Sequence, residues 1–179
     1  FEGEHTMIVA GSTSNEVGFE TVIRGHKGNL YIGGSFTTVG GLVRNRLALI
    51  STNDGSVTLS FSNNINNTVR ALALGDYLYI GGEFTNVAYF GSPNNQRIGV
   101  AAVNPTSGAL YSGFMADTTT NGGTGTGTGA TNVNALLLNG SSLYVAGLFH
   151  TITNSDTSTY QRLGVAKVDA TTGNVDPTF

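Results

Sequence analysis

The chain has no cysteine and no tryptophan, three prolines and only two lysines, Lys27 and Lys167. Lacking cysteine, it has no disulfides, no zinc thiolate site and no cysteine nucleophile, and the compartment is left open. With a net charge of -3, no basic patch is available to neutralise a phosphate backbone, so nucleic acid is not an expected partner. No apolar run approaches the length needed to cross a bilayer, so membrane insertion is not expected. Charged residues make up only 11% of the 179, and the Lys, Glu and Leu that clothe long helices are scarce.

What the chain does have is 26 glycines, many Thr, Asn and Ser, and short apolar runs. That composition points to an all-β domain. Its length allows one domain with a real core. It opens on Phe1 and shows no signal peptide, which suggests a removed leader or a piece of a longer protein.

Gly28-Asn29-Leu30-Tyr31-Ile32-Gly33-Gly34-Ser35-Phe36-Thr37 returns as Asp76-Tyr77-Leu78-Tyr79-Ile80-Gly81-Gly82-Glu83-Phe84-Thr85. It returns again, worn, as Ser142-Leu143-Tyr144-Val145-Ala146-Gly147-Leu148-Phe149-His150. Apolar residues around a tyrosine, then small residues, read as a buried strand ending where backbones crowd. Phe61, Phe114 and Phe179 close the three units, and Phe1 fits the same marker from a preceding one. The units are 1–61, with an atypical N-terminal part, 62–114 and 115–179, together one partial domain.

Each unit reads as four strands. Strand A is Thr21–Arg24, Val69–Leu74 or Val133–Leu138; strand B is the repeated motif. Strand C is Leu47–Ile50, Val100–Val103 or Val165–Val168. A turn ending in Gly55, Gly108 or Gly173 leads to a short strand D; glycine there suits a left-handed backbone. Met7-Ile8-Val9-Ala10 reads as an extra strand with no assigned place. Four-strand units of this length are the signature of β-propeller blades, so the expected fold is an all-β propeller portion of about three four-stranded antiparallel blades.

Leu-Tyr-Ile-Gly-Gly-x-Phe-Thr, a following arginine, a Leu-Ala-type strand, Thr-x-Gly and a closing Phe resemble the delta-60 repeat, a kelch-like β-propeller repeat. The resemblance covers roughly residues 18–179. It implies a secreted or surface bacterial protein, or a phage tail or fibre protein, so the expected location is extracellular or in a virion.

Loop lengths carry the functional reading. Ala48 to Phe61, Ala101 to Phe114 and Ala166 to Phe179 all span 13 residues, so the C–D turn is constant. Phe36 to Arg44 spans 8, whereas Phe84 to Arg97 and Phe149 to Arg162 span 13; the D–A connections vary more. Successive turns of an up-and-down blade alternate between faces, which puts the variable B–C and D–A loops on one face. Insertions confined to one face often mark a binding surface, though loops free of constraint also drift in length. The expected surface is built from residues 86–96, 115–131 and 150–161, with Tyr89, Phe90, Asn94, Asn95, Gln96, Arg97, His150, Tyr160 and Arg162 as recognition residues for a protein or glycan. Further blades, from a longer chain or from other copies, are expected partners.

The remaining motifs point away from chemistry. Gly125–Ala130 has a dinucleotide-like spacing without the strand before and helix after that such a site needs, and reads as a flexible loop. Arg44, Arg97 and Arg162 recur before strand C. Each suits tying its loop to nearby carbonyls or packing on an aromatic, more than an acidic or sugar ligand. His5, His26 and His150 are scattered, and neither a metal-ligand spacing nor a nucleophile elbow is present. No cofactor, metal or catalysis is therefore expected; a propeller-based carbohydrate-active enzyme is the least favoured alternative. Two packing expectations complete the reading. Leu30, Ile32, Leu78, Ile80, Leu143 and Val145 should face one side of their sheets, and Tyr31, Tyr79 and Tyr144 the other, all largely buried. Phe36, Phe84, Phe149 and the three closing phenylalanines should be buried between neighbouring blades.

Overall fold

The computed structural model describes residues 21–88, 95–120 and 131–179. The Met7–Ala10 run, the Phe1 marker and the Gly125–Ala130 stretch lie outside them. Among the described residues every regular element is a strand.

Three antiparallel sheets share one design, with the repeated motif as their central strand. The first pairs β1 (Thr21–His26), β2 (Asn29–Gly34) and β5 (Leu47–Ser51). The middle one pairs β7 (Val69–Leu74), β8 (Leu78–Gly82) and β10 (Val100–Val103). The third pairs β12 (Asn132–Asn139), β13 (Ser142–Leu148) and β16 (Val165–Asp169). Short ribbons fill the connections. They are β3 (Thr38–Val39) with β4 (Leu42–Val43), β6 (Asn64–Ile65) with β9 (Val87–Ala88), and β11 (Ala116–Thr119) with β14 (Thr151–Asn154) and β15 (Thr159–Gln161).

The sheets have three strands, not the four expected. Strand D survives as one bridge per unit: Val57 to Ile50, Leu110 to Val103 and Val175 to Val168. Two hydrogen bonds make each bridge: Asn104 N–H donates to Ala109 O at 2.7 Å and Tyr111 N–H to Ala102 O at 2.8 Å, and Asp169 N–H to Asn174 O and Asp176 N–H to Lys167 O, both at 2.8 Å. After it the chain turns: Phe114 N–H donates to Tyr111 O at 3.4 Å and Phe179 N–H to Asp176 O at 3.5 Å. The turn before strand D behaves as expected. Gly55, Gly108 and Gly173 have φ of 72°, 77° and 80°, and Asn104 and Asp169 accept from main-chain N–H groups two and three residues on.

The core lies in the two gaps between sheets. Tyr31, Leu47, Leu49 and Phe61 meet Leu78, Ile80, Ala101 and Val103 in one gap. Tyr79, Val100, Ala102 and Phe114 meet Leu143, Val145, Ala166 and Val168 in the other. This is the period-two split expected for the motif, with Leu and Ile to one side and Tyr to the other. Each gap has a notch. A Cβ at Gly33 would lie 2.6 Å from Val69 Cγ1, and one at Gly81 would lie 2.7 Å from Val133 Cγ1. Glycine here lets the next sheet's first valine approach the strand backbone.

Burial departs from expectation on the two outward sides. Phe61, Phe84 and Phe114 are fully buried and Phe149 nearly so, but Phe36 is half-buried and Phe179 is 51% exposed. Leu30, Ile32 and Tyr144 are also half-buried. All five belong to the sides of the first and third sheets that face away from the middle one.

Candidate recognition surface

The variable connections are built as a second layer of structure. Asn64 and Ile65, in the D–A connection, pair with Ala88 and Val87 of the B–C connection. In the third unit, Ala116–Thr119 pairs with Thr151–Asn154, which pairs in turn with Thr159–Gln161. B–C and D–A segments therefore do come together, as the alternation of turns predicts. The D–A segment also begins elsewhere. Ser62 N–H donates to Ser107 O at 3.0 Å and Met115 N–H to Thr172 O at 3.0 Å, each in the next unit's C–D turn.

A buried polar seam holds this layer to the sheets. Ile98 N–H donates to Asp117 Oδ1 at 2.8 Å, and Thr118 donates to Ile98 O through both N–H (2.9 Å) and Oγ1 (3.2 Å). Thr119 and Thr151 share a hydroxyl hydrogen bond of 2.7 Å, and Asn154 Oδ1 accepts from Val175 N–H at 3.0 Å. Burial pushes the Asp117 carboxyl up to about 6, against the Ile98 N–H and the Arg97 charge, which draw it down. The seam was not anticipated. Thr118-Thr119-Thr120 is β-branched and strand-prone, a signal obscured by the polarity of the surrounding stretch.

The predicted recognition residues divide into three groups. Tyr89, Phe90 and Asn94 lie outside the described residues. Gln96 and His150 are exposed on the B–C segments; His150 is fixed through its backbone, donating to Thr119 O at 2.7 Å and accepting from Arg162 N–H at 2.8 Å. Asn95, half-buried, accepts from Val87 N–H at 3.1 Å.

The arginines and Tyr160 are engaged with the protein. Arg97 donates from Nε to Phe114 O at 3.0 Å and from Nη2 to Ser112 O at 3.1 Å. Arg162 donates to Gln161 O at 2.8 Å and Asp176 O at 2.9 Å, and its guanidinium lies 5.7 Å from the Tyr160 ring centre. Arg44 does likewise with Val43 O and Thr58 O. All three use their forks to tie the B–C segment to strand D carbonyls. Tyr160 packs half-buried against the second core. Among the described residues the surface is left with Gln96, His150, the run from Ser155 to Thr159 (Asp156 included) and Gln161 as exposed polar groups. Among the described residues no group of three or more His, Asp or Glu is placed to hold a metal ion.

Residues 28–61, one full pass from the repeated motif to its closing phenylalanine, match a family model described as a domain of unknown function (DUF5122) beta-propeller. The fold is a β-propeller portion. The matched stretch of the propeller runs through β2 to β5 and the C–D turn; β2, β5 and the turn recur in the other two units, while the β3–β4 connection is the short form of the variable B–C segment. No curated protein matches the chain.

Proposed function

We propose that this propeller is a non-catalytic extracellular recognition module, of delta-60, kelch-like type, that binds a protein or glycan through its B–C and D–A segments. The observation that most supports this reading is the β11–β14–β15 ribbon. A length insertion there forms an ordered sheet backed by a buried polar seam, which holds His150, Thr159 and Gln161 outward. Holding polar side chains on a rigid frame lowers the entropy lost on binding. The C–D turns, constant in length and closed by their own Asn and Asp side chains, offer no such variation. A second reading, a structural component of a phage tail or fibre, draws support from the half-buried outward sides of the first and third sheets, which assembly would cover.

The test compares the two ends. The chain is screened on a glycan array and against extracellular surface proteins. Any binding found should weaken at least tenfold in Gln96→Ala, His150→Ala and Gln161→Ala, and persist in Asn53→Ala and Asn139→Ala at the turn end. The reverse pattern would overturn the assignment of the binding surface.

A further inference from the structure

Both internal gaps are closed by the same polar contact. Tyr31 Oη crosses the first gap and donates to Pro105 O at 2.9 Å; Tyr79 Oη crosses the second and donates to Ala170 O at 2.8 Å. Pro105 and Ala170 each stand four residues after the central alanine of strand C, Ala101 and Ala166. Each tyrosine also meets its own unit's closing phenylalanine edge to face: Tyr31 with Phe61 at 5.9 Å, Tyr79 with Phe114 at 5.6 Å. The third sheet repeats this arrangement on its outward side. Tyr144 meets Phe179 at 5.6 Å and 76°. The first sheet presents the opposite half outward: Leu30 and Ile32 stand where Leu78, Ile80, Leu143 and Val145 stand when fully buried. Thr52, four residues after Ala48, is the counterpart of Pro105 and Ala170.

We infer that the outward side of the third sheet is a docking face for the first sheet of a second copy of this chain. Tyr144 Oη then donates to the main-chain carbonyl of the partner's Thr52, and Phe179 is covered by the partner's Leu30 and Ile32. The two sides are the two halves of an interface the molecule already makes twice, so the contact is head-to-tail. Heterologous contacts of this kind close into rings when the rotation permits and otherwise grow open chains. One position differs. Ala146 stands where Gly33 and Gly81 form the notch for the next valine. Its methyl group takes up part of that notch, so the contact is looser than the internal pair.

Sedimentation velocity of the wild-type chain over a concentration series should show reversible association. Tyr144→Phe removes one interfacial hydrogen bond and should raise the dissociation constant about three- to tenfold with the monomer's melting temperature unchanged. Tyr31→Phe should lower the melting temperature and leave association unaltered. Ile32→Glu and Phe179→Asp block opposite faces. Each should be folded by circular dichroism and monomeric alone, and a mixture of the two should restore a one-to-one dimer. A wild-type chain that stays monomeric at about 1 mM, below even weak protein affinities, overturns the proposal. So does a mixture of the two folded blocked variants that fails to pair.

Discussion

The middle sheet and its two neighbours carry the same motif in different surroundings. Leu78, Ile80 and Tyr79 are buried on both sides, at 2% exposure or less. In the first sheet Tyr31 is buried while Leu30 and Ile32 are half-open; in the third, Leu143 and Val145 are buried while Tyr144 is half-open. Strand order is nonetheless the same in all three, with a bulge at Val69/Ala71 and at Val133/Ala135 that the first sheet lacks. Local sequence is therefore enough to set the strands and their order. Burial is set by how many sheets stand beside them, and among the described residues only the middle one has two.

The strongest way to break that comparison is to remove one closing phenylalanine from inside and one from outside. Phe114 is fully buried between the middle and third sheets, and Phe114→Ala should lower unfolding free energy by about 3–5 kcal/mol. Phe179 is the same residue at the same repeat position but 51% exposed, so Phe179→Ala should cost no more than ~1 kcal/mol. Urea titrations of the two variants check this. Equal losses would mean that burial is not what separates the positions.

A smaller, pH-dependent effect separates Asp117 from Asp176. Asp117 is buried within the ribbon, on β11, and its carboxyl rises from 3.8 to about 6 in the fold. Between those values the folded chain holds a proton that the unfolded chain has lost, so this group's contribution to stability falls as pH rises through that window. Asp117→Asn keeps an oxygen to accept from Ile98 N–H and removes the ionisation. Its stability relative to the parent should be near level at pH 4 and should rise by on the order of 1–3 kcal/mol at pH 7. Asp176 has the opposite sign. The Lys167 ammonium, 2.8 Å away, holds its carboxyl well below the usual range, so its contribution is lost only as pH falls through that lowered value. Thermal melts across pH 3–8 distinguish the two. A flat Asp117→Asn difference would rule out a buried, charge-averse carboxyl.

The sheets were legible in the sequence because period-two alternation and a recurring turn glycine are local signals, and residues 29–34 and 78–82 appear as strands where the motif predicts them. The tying role of Arg44, Arg97 and Arg162 was also legible, since a fork of five donors before a strand has few other ways to be satisfied beside main-chain carbonyls. The short strand D expected before each closing phenylalanine is reduced to one bridge per unit, because its hydrogen bonds to strand C end there. The seam of Asp117, Thr118, Thr119 and Thr151 was missed because pairing across 32 residues leaves no periodic trace in a polar stretch. The outer half-burial of Leu30, Ile32 and Tyr144 depends on neighbours, which no single repeat encodes.

The smallest expected effect tests whether an ion pair, and not two neighbours, sets the middle unit apart. The residue before the shared phenylalanine is Ser35, Glu83 or Leu148, so a carboxylate occurs there only in the middle repeat. Arg70 donates to Glu83 Oε1 from both Nε at 2.9 Å and Nη2 at 2.6 Å. The geometry is good, yet the two side chains are 25% and 28% exposed, where water and salt screen the attraction. Glu83→Ser, which places the first unit's residue in the middle one, should therefore cost no more than about 1 kcal/mol, and most of that should vanish in about 1 M salt. If the cost instead approached that of Phe114→Ala and persisted in salt, the middle sheet would owe its stability to its own charges. The contrast with the outer sheets would then be one of sequence, not of position.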